Sequence, residues 1–316
     1  MMFDQPISFT PLYMERVWGG RRIADELGRA GVADGPIGES WELVDRADAQ
    51  SVVASGPAAG MTLHELWSLH REEVFGKQAP DSPRFPLLAK ILDARDTLSV
   101  QVHPPAAIAP QLGGEPKTEM WYLLDGTADA AVYAGFTNGV RREDFETALS
   151  NGTTESLLHR LPVKTGDAIF IPSGRCHAIG GGCFIVEIQQ NSDTTYRVFD
   201  WNRVGLDGKP RPLHLRESLL SIDFSDLEPS LETMGADGLI VACEHFRVEE
   251  WRLTGPRPDE SADGVIFTVI EGSVSVGSTT FQRGEFFLLP ASATERNLVP
   301  KNLQAKVLRT TFGIRP

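Results

Sequence analysis

The chain has 316 residues, of which 41% are hydrophobic, and carries a formal charge of −13. This length allows one large globular domain or two smaller ones. The negative charge argues against nucleic acid or an acidic membrane as a partner, because both need a concentrated basic patch. No apolar run approaches the roughly 18 residues of a membrane span, and no secretion signal precedes Gly20, so we expect a cytoplasmic protein.

Gly and Pro, at 30 and 21 residues, divide most of the chain into short segments rich in β-branched and aromatic residues. This pattern predicts an all-β fold. Helical signals are confined to two insertions, at about 62–76 and 142–161. Thr62 and Glu65 form a capping box at the start of the first. The second is expected to hold one helix over about 142–150 and another over about 155–161.

A strand-like stretch, residues 99–124, carries polar side chains where apolar ones are expected. Gln101 and His103 are two residues apart and therefore project to the same face of a strand. Glu119 stands directly before the apolar run that follows. The three cysteines, Cys176, Cys183 and Cys243, form no CxxC pair, which argues against a disulfide framework or a thiolate zinc site. We expect all three to be buried.

The sequence contains an internal repeat. "GDAIFIPSGRCH" (166–177) and "GEFFLLPASATE" (284–295) share Gly, an acidic residue, an apolar run and Pro at the seventh position. Upstream, "TEMWYLLDG" (118–126) resembles "GVIFTVIEG" (264–272), and this alignment places Val265 where the first copy has Glu119. His177 likewise becomes Glu295. The first copy is therefore the candidate site, and the second is interpreted as a scaffold.

The repeated "GD…P…G…H" signature resembles the cupin family, whose fold is a double-stranded jelly roll. The resemblance implies two such barrels with a small helical insertion. The catalytic barrel is expected over residues 1–220, and a degenerate barrel without metal ligands over 221–316.

His103, Glu119 and His177 are of the residue types that bind a borderline divalent metal, and Gln101 offers a fourth, weaker oxygen. Three protein ligands with an open position are typical of a catalytic zinc site. Any one of these histidines, taken alone, is more simply explained as a packed or surface residue. Ligand type does not distinguish zinc from iron, manganese or cobalt.

Five stretches, found in order, resemble one family more specifically. They are "IGESWEL" (37–43), "FPLLAKILDARDTLSVQVHP" (85–104), "KTEMWYLL" (117–124), "GDAIFIPSGRCHAI" (166–179) and "VEIQQNSDTTYRVFDWNR" (186–203). They are similar to mannose-6-phosphate isomerases of the short bacterial type. The resemblance implies interconversion of mannose 6-phosphate and fructose 6-phosphate by proton transfer through an enediolate, with one zinc ion per chain and a sugar phosphate as the small-molecule partner.

The resemblance also implies roles for residues at matching positions. The metal ligands fall on Gln101, His103, Glu119 and His177. The family's arginine falls on Arg197, and the lysine two places before its ligand glutamate falls on Lys117. Together with Glu187 and Asp193, these two are the expected catalytic residues. Substrate-binding positions fall on Lys90, Ser99, Glu39 and Trp18. The chain departs from the family at Val17 and at Pro105, Ala106 and Ala107, so the lip of the pocket is expected to differ.

The chemistry explains why these residue types are needed. A divalent cation and the guanidinium of Arg197 would stabilise the oxyanion formed on deprotonating carbon. The general base is left open among Glu187, Glu39, Asp193 and Lys117.

Simpler interpretations exist for three of these residues. Arg197 could pair with Asp193 four residues earlier, and Glu187 could face solvent. Lys90 requires a phosphate partner or an exposed strand end, because an unpaired buried ammonium is costly.

Three other functions are consistent with this pattern. One is another sugar-phosphate isomerase, such as one acting on glucose 6-phosphate. Another is a non-catalytic two-barrel protein that binds sugar phosphates, and a third is an iron-dependent dioxygenase on the same barrel.

Overall fold

The computed structural model describes residues 2–313 and consists mostly of antiparallel strands. In chain order the strands are β1 (Phe9–Thr10), β2 (Leu12–Gly20), β3 (Ile37–Leu43), β4 (Val52–Val53), β5 (Leu87–Ala94), β6 (Val100–Val102), β7 (Glu119–Gly126), β8 (Ala131–Phe136), β9 (Leu158–Pro162), β10 (Ala168–Ile171), β11 (His177–Ile179), β12 (Cys183–Gln190), β13 (Tyr196–Phe199), β14 (Leu239–Ala242), β15 (Phe246–Leu253), β16 (Arg257–Pro258), β17 (Val265–Glu271), β18 (Ser273–Val276), β19 (Thr279–Gln282), β20 (Phe286–Leu289), β21 (Asn297–Pro300) and β22 (Ala305–Phe312). The α-helices are α1 (Arg22–Asp25), α2 (Leu63–Leu69), α3 (Arg71–Phe75), α4 (Arg142–Asn151) and α5 (Leu215–Ser221), with 3₁₀ turns at Ala109–Leu112 and Thr154–Leu157.

The chain forms two compact units, each assembled from separate segments. Of the described residues, the first comprises 2–12, 41–89 and 233–313, and the second comprises Tyr13–Ser40 and Lys90–Glu232. The predicted division into an N-terminal catalytic cupin domain (1–220) and a C-terminal degenerate barrel without metal ligands (221–316) stays a prediction.

The second unit contains most of the residues of the first barrel. A six-stranded sheet in the order β10-β7-β12-β5-β2-β3 faces a five-stranded sheet in the order β13-β6-β11-β8-β9. An apolar cluster with members from both sheets, including Trp121 on β7 and Val132 on β8, is almost fully buried. The prediction of an all-β, cupin-type fold is confirmed.

The outer face of the five-stranded sheet is covered by a second apolar cluster. Val100 and Val102 on β6 pack in this cluster with Phe145 of α4 and Ile222 after α5. Because neighbouring side chains of a strand point to opposite faces, Gln101 between the two valines points toward the barrel interior. α4 and the segment at the end of α5 thus cover the outside of the sheet, and Gln101 of β6 remains inside.

The helical insertions agree with prediction except at one segment. Thr62 caps α2 with the expected capping box to Glu65. α4 runs over Arg142–Asn151 and ends at Gly152, which has a φ of +70°. The prediction of a helix over 155–161 is wrong beyond the short 3₁₀ turn, because Leu158–Pro162 forms β9 and pairs with β8.

The second barrel lies in the first unit. A five-stranded sheet (β14-β15-β22-β17-β20) and a four-stranded sheet (β16-β21-β18-β19) enclose a core that includes Trp251, Phe267, Phe281 and Phe287. The rings of Phe281 and Phe287 stack 4.0 Å apart at their centroids. These aromatic side chains fill the interior of this barrel.

Strand register supports the alignment of the two repeats. In the first barrel Ile171 pairs with Glu119, and in the second the equivalent Leu289 pairs with Val265. A valine therefore occupies the position of the acidic residue, as the alignment predicts.

Two of the three cysteines are buried as expected. Burial raises the pKa of the Cys183 thiol to about 11, and burial raises that of Cys176 further. Cys243 is only half-buried, which corrects the expectation for that residue. Among residues 2–313, none of the helices has the length and apolar character needed to cross a bilayer.

Candidate metal centre and cavity

Three strand ends bring His103, Glu119 and His177 together inside the first barrel. His103 follows the last residue of β6, whereas Glu119 and His177 are the first residues of β7 and β11. His177 pairs directly with Gln101 across the β11–β6 ladder. Residues 74 positions apart thus converge because their strands begin or end at the same depth of the barrel.

The ligand atoms of these three residues all lie within 4.8 Å of one another. Oε2 of Glu119 is 3.5 Å from Nε2 of His103, and its Oε1 is 3.5 Å from Nε2 of His177. All three side chains are at most 1% exposed. The cluster therefore presents two imidazole nitrogens and a carboxylate to one point.

Backbone carbonyls fix the tautomer of both histidines. Nδ1 of His103 donates to the carbonyl of Thr194 at 2.8 Å, and Nδ1 of His177 donates to the carbonyl of Arg175 at 2.8 Å. Nε2 of each ring is then left unprotonated. Burial lowers the pKa of His177 to about 3, and burial together with Lys117 lowers that of His103. Neutral imidazoles with a free Nε2 are the form that binds metal.

The donor atoms fit a divalent metal. Within the described chain, Nε2 of His103 and Oε1 of Glu119 are buried and have no hydrogen-bond partner. The amide of Gln101 lies 3.2 Å from Nε2 of His177, so its carbonyl oxygen can reach the same point after rotation of the amide. Two nitrogens, a carboxylate and an amide match the donors of a catalytic site for a metal such as zinc.

Lys117 is buried between two carboxylates. Its Nζ lies 2.7 Å from Oε2 of Glu119 and 3.8 Å from Oε1 of Glu187. Although burial alone would lower the pKa of Lys117, these two carboxylates raise it above the usual range. Burial alone would likewise raise the pKa of Glu119, yet Lys117 and His103 hold it well below its usual value.

Lys90 lies in a similar arrangement at the other side of Glu187. Its Nζ is 3.4 Å from Oε1 of Glu187 and 3.9 Å from Oε2 of Glu39, whose carboxylate also accepts two hydrogen bonds from Arg16. Lys90 is 4% exposed, so the expectation of an exposed strand end is wrong. Carboxylates, rather than solvent, compensate its charge.

Glu187 points into the barrel and not to solvent. Its Oε2 accepts a 3.0 Å hydrogen bond from Nε1 of Trp121, and the residue is 4% exposed. Burial and the charge of Glu119 raise the pKa of Glu187, while Lys117 and Lys90 oppose that rise.

A cavity of about 380 Å³ opens beside the cluster. It contains every predicted substrate-binding and catalytic residue, and of the predicted ligands only Gln101 reaches its wall. Its lining consists of Arg16, Trp18, Glu39, Lys90, Leu92, Leu98, Ser99, Gln101, Lys117, Ile179, Glu187, Asp193, Thr195, Arg197 and Arg211. His103, Glu119 and His177 lie behind this wall.

Arg197 is placed by the neighbouring ladder. It pairs with Gln101 across β13–β6, so Arg197, Gln101 and His177 form a row over three adjacent strands. Nη1 of Arg197 donates to the carbonyl of Pro212 at 2.9 Å. In the part of the chain that the structure describes, no ion pair joins Arg197 to Asp193.

Several residues of the site were missed by the sequence interpretation. Arg16 and Arg211 line the cavity from segments that carry no recognisable motif. Gln189 pairs with Glu119 in register and is fully buried. The sequence does contain one signal for Gln189. It lies two residues after Glu187 on β12, so both side chains project to the same face of the strand, which points into the barrel.

The two-barrel fold and the His-Glu-His cluster define a cupin protein with a candidate metal centre. The sequence-family model for the phosphomannose isomerase type I catalytic domain matches residues 7–134. The chain is 38% identical to the mannose-6-phosphate isomerase of Bacillus subtilis (strain 168) over 94% of its own length and 96% of the relative's. It is also 35% identical to the mannose-6-phosphate isomerase of Streptococcus mutans, over 90% of this chain and 92% of the relative.

Solved structures give the same result. The crystal structure of a mannose 6-phosphate isomerase from Bacillus subtilis superposes with a TM-score of 0.86 at 32% identity, over 97% of this chain and 99% of the other. A putative mannosephosphate isomerase from Archaeoglobus fulgidus shares the fold, with a TM-score of 0.81 at 24% identity over 99% and 100% of the two chains. The chain belongs to the mannose-6-phosphate isomerase family and is an enzyme.

Proposed function

We propose that this enzyme interconverts mannose 6-phosphate and fructose 6-phosphate with one zinc ion bound by His103, Glu119, His177 and Gln101. The buried cluster of neutral imidazoles beside a polar cavity carries this proposal, and the names of the relatives support it. The cavity of about 380 Å³ falls within the usual range for small-molecule sites.

Zinc fits the donors better than a hard cation does, because two of the four are imidazole nitrogens. When bound, the ion would polarise sugar oxygens as a Lewis acid. Gln101 lies on the cavity wall whereas the other three ligands lie behind it. Gln101 is therefore the ligand nearest to a bound substrate.

Glu187 is our choice for the general base. Its Oε1 has no hydrogen-bond partner among the described residues, while Trp121 holds its Oε2 in place. Oε1 would take the proton from C2 of mannose 6-phosphate and return it to C1, while the hydroxyl proton passes from O2 to O1. The raised pKa of Glu187 strengthens it as a base, as proton transfer near neutral pH requires.

The remaining residues would bind and orient the sugar. The guanidinium of Arg197 and the ammonium of Lys117 supply fixed positive charge near the oxyanion, since both line the cavity close to Gln101. Asp193, Glu39 and Ser99 offer oxygens to sugar hydroxyls. Trp18 and Lys90 complete the wall, with Lys90 paired to carboxylates.

A coupled assay tests this function. Fructose 6-phosphate formation from mannose 6-phosphate is measured on the purified enzyme, after chelation and after zinc is restored. We expect activity to disappear with the metal and to return with zinc. No turnover with any divalent metal, in protein whose circular dichroism shows it to be folded, would overturn the assignment.

The same assay with glucose 6-phosphate tests the nearest alternative. Preferred turnover of that sugar would make the enzyme a different sugar-phosphate isomerase. Binding of mannose 6-phosphate without turnover would instead favour the sugar-phosphate-binding protein.

A further inference from the structure

The turn that precedes His177, residues 172–176, is held by an ion pair. Nε and Nη2 of Arg175 donate to the two carboxylate oxygens of Asp226, at 2.7 and 2.9 Å. Nη1 of Arg175 donates to the carbonyl of Phe170 at 2.6 Å. The two charged side chains are only 14% and 17% exposed. A bidentate pair that is largely shielded from water fixes its partners more firmly than an exposed ion pair does.

This ion pair acts on the residue that orients His177. The main-chain carbonyl of Arg175 accepts the 2.8 Å hydrogen bond from Nδ1 of the imidazole. The carbonyl and the guanidinium belong to one residue, so anchoring the guanidinium restrains the carbonyl. The carboxylate of Asp226 therefore reaches the His177 ring through a chain of two contacts.

Asp226 is itself anchored to the main chain around the turn. Its carbonyl accepts a hydrogen bond from the amide of Phe136, the last residue of β8, at 3.0 Å. The amide of Asp223 donates to the carbonyl of Gly174 in the turn at 2.9 Å. The segment 223–226 is thus bound to β8 on one side and to the turn on the other.

The turn also contacts the second histidine of the cluster. The amide of Gly174 donates to the carbonyl of His103 at 2.9 Å. Gly174 has a φ of +94°, a conformation that residues with a side chain rarely adopt. The glycine allows the chain to bend here, so that one turn contacts the main chain of His103 and the ring of His177.

We propose that Asp226 is a positioning residue of the metal centre, which acts through Arg175 to hold the ring of His177 in the direction that metal binding needs. Neither Asp226 nor Arg175 lines the cavity, so neither would touch the substrate. Groups that orient a metal-binding histidine through its other ring nitrogen strengthen metal binding. This inference rests on the proposed function in one respect, the zinc ion bound through His177.

The carbonyl of Arg175 is present whatever the side chain. The tautomer of His177 should therefore persist in variants of the ion pair, whereas the direction of its ring becomes less well fixed. A ring that must be reoriented before it binds metal lowers the affinity without removing a ligand.

Competition with a chromophoric chelator measures the zinc affinity. Asp226→Asn keeps the size of the side chain and removes its charge and one acceptor oxygen. We expect the zinc affinity to fall about 10-fold, as for other groups that orient metal-bound histidines. Arg175→Met should give a similar loss. The double variant Asp226→Asn/Arg175→Met should lose no more than the larger single loss, because both changes break the same contact.

Asp259→Asn is the matched control. Asp259 is also held by guanidinium groups, those of Arg296 and Arg309, but it lies in the second barrel. Its substitution should lower stability and leave the zinc affinity unchanged. The absorption spectrum of the cobalt-loaded protein reports the arrangement of the ligands, which a loss of stability alone does not alter. Its bands should shift in Asp226→Asn and stay unchanged in Asp259→Asn.

Wild-type zinc affinity and cobalt spectrum in folded Asp226→Asn and Arg175→Met would overturn the inference, as would an equal loss of affinity in Asp259→Asn. If neither variant folds, Arg175→Lys retains the charge but not the bidentate contact, and unchanged affinity and spectrum there would overturn it too. A wild type that binds zinc but turns over no sugar phosphate would refute the proposed reaction alone, because affinity is measured without turnover. A wild type that binds no divalent metal would refute both.

Discussion

Nζ of Lys90 lies 3.4 Å from Oε1 of Glu187, and both side chains are only 5% exposed. Each charge compensates the other at the shortest distance, because the second partners, Glu39 for Lys90 and Lys117 for Glu187, lie farther away at 3.9 and 3.8 Å. The pair also ties β5 to β12, two neighbouring strands of the six-stranded sheet.

Removing the ammonium should therefore destabilise the fold. We expect Lys90→Met to lower the free energy of unfolding in urea by about 3 kcal/mol, because Glu187 loses its near partner. The double variant Lys90→Met/Glu187→Leu should recover much of that loss. The exposed pair Arg141–Asp144 is the control, and Arg141→Gln should have little effect. Equal stability of Lys90→Met and the wild type would show that the pair does not act in this way.

Substitution of the central carboxylate should abolish metal binding. Glu119 lies 3.5 Å from both histidines, so Glu119→Gln removes the only negative charge of the cluster. We expect the zinc content measured by mass spectrometry to fall from about one ion per chain to a small fraction. His159→Gln, outside the cluster, should retain the metal. Full zinc content in Glu119→Gln would exclude this carboxylate as a ligand.

Arg197 should matter more for activity than for stability. Its side chain donates a hydrogen bond to the carbonyl of Pro212 and lines the cavity. Among the described residues it makes no ion pair whose loss would destabilise the fold. We expect Arg197→Ala to reduce kcat/KM at least about 100-fold, as when a group that stabilises an oxyanion is removed. Its unfolding midpoint should remain close to that of the wild type. Either an unfolded variant or normal turnover would contradict this role.

The second barrel should respond to acid through Asp259. This side chain is fully buried between Arg296 and Arg309. Burial alone would raise the pKa of Asp259, but Arg309 and Arg296 hold it below its usual range. A lowered pKa stabilises the fold above the pKa of an unfolded aspartate, about 3.9, and that stability disappears as the pH falls through the folded value.

Thermal unfolding between about pH 3 and 7 measures this effect. Asp259→Asn should lower the melting temperature at pH 7 and flatten its fall on acidification, whereas the exposed Asp237→Asn should behave as the wild type. Identical pH profiles for Asp259→Asn and the wild type would rule out the linkage.

The features of the fold that depend on local residue patterns and on the internal repeat could be predicted from the sequence. Alternation along β6 and the residue that follows it places Gln101 and His103 on one face. The aligned glycines predict the replacement of Glu119 by Val265 that the strand register shows. The segment at 158–162 shows the limit of this approach. Its leucines suit a helix, yet pairing with β8 makes it a strand, and tertiary contacts override local preference.

Residues that depend on long-range packing could not be predicted. Arg16 and Arg211 both line the cavity, and neither follows a periodic signal in the sequence. For Lys90, the sequence shows a cation in an apolar strand but not the two carboxylates that accompany it. Those carboxylates come from β3 and β12, far away in the chain.

Both histidines of the cluster are oriented by main-chain carbonyls, those of Thr194 and Arg175. Every amino acid carries a carbonyl, so no replacement at position 194 or 175 can delete these acceptors; it can only displace them. The protonation pattern of the imidazoles is therefore robust to point mutation at these two positions. A mutation can change this protonation pattern only indirectly, by altering side chains that hold the two peptide groups in place.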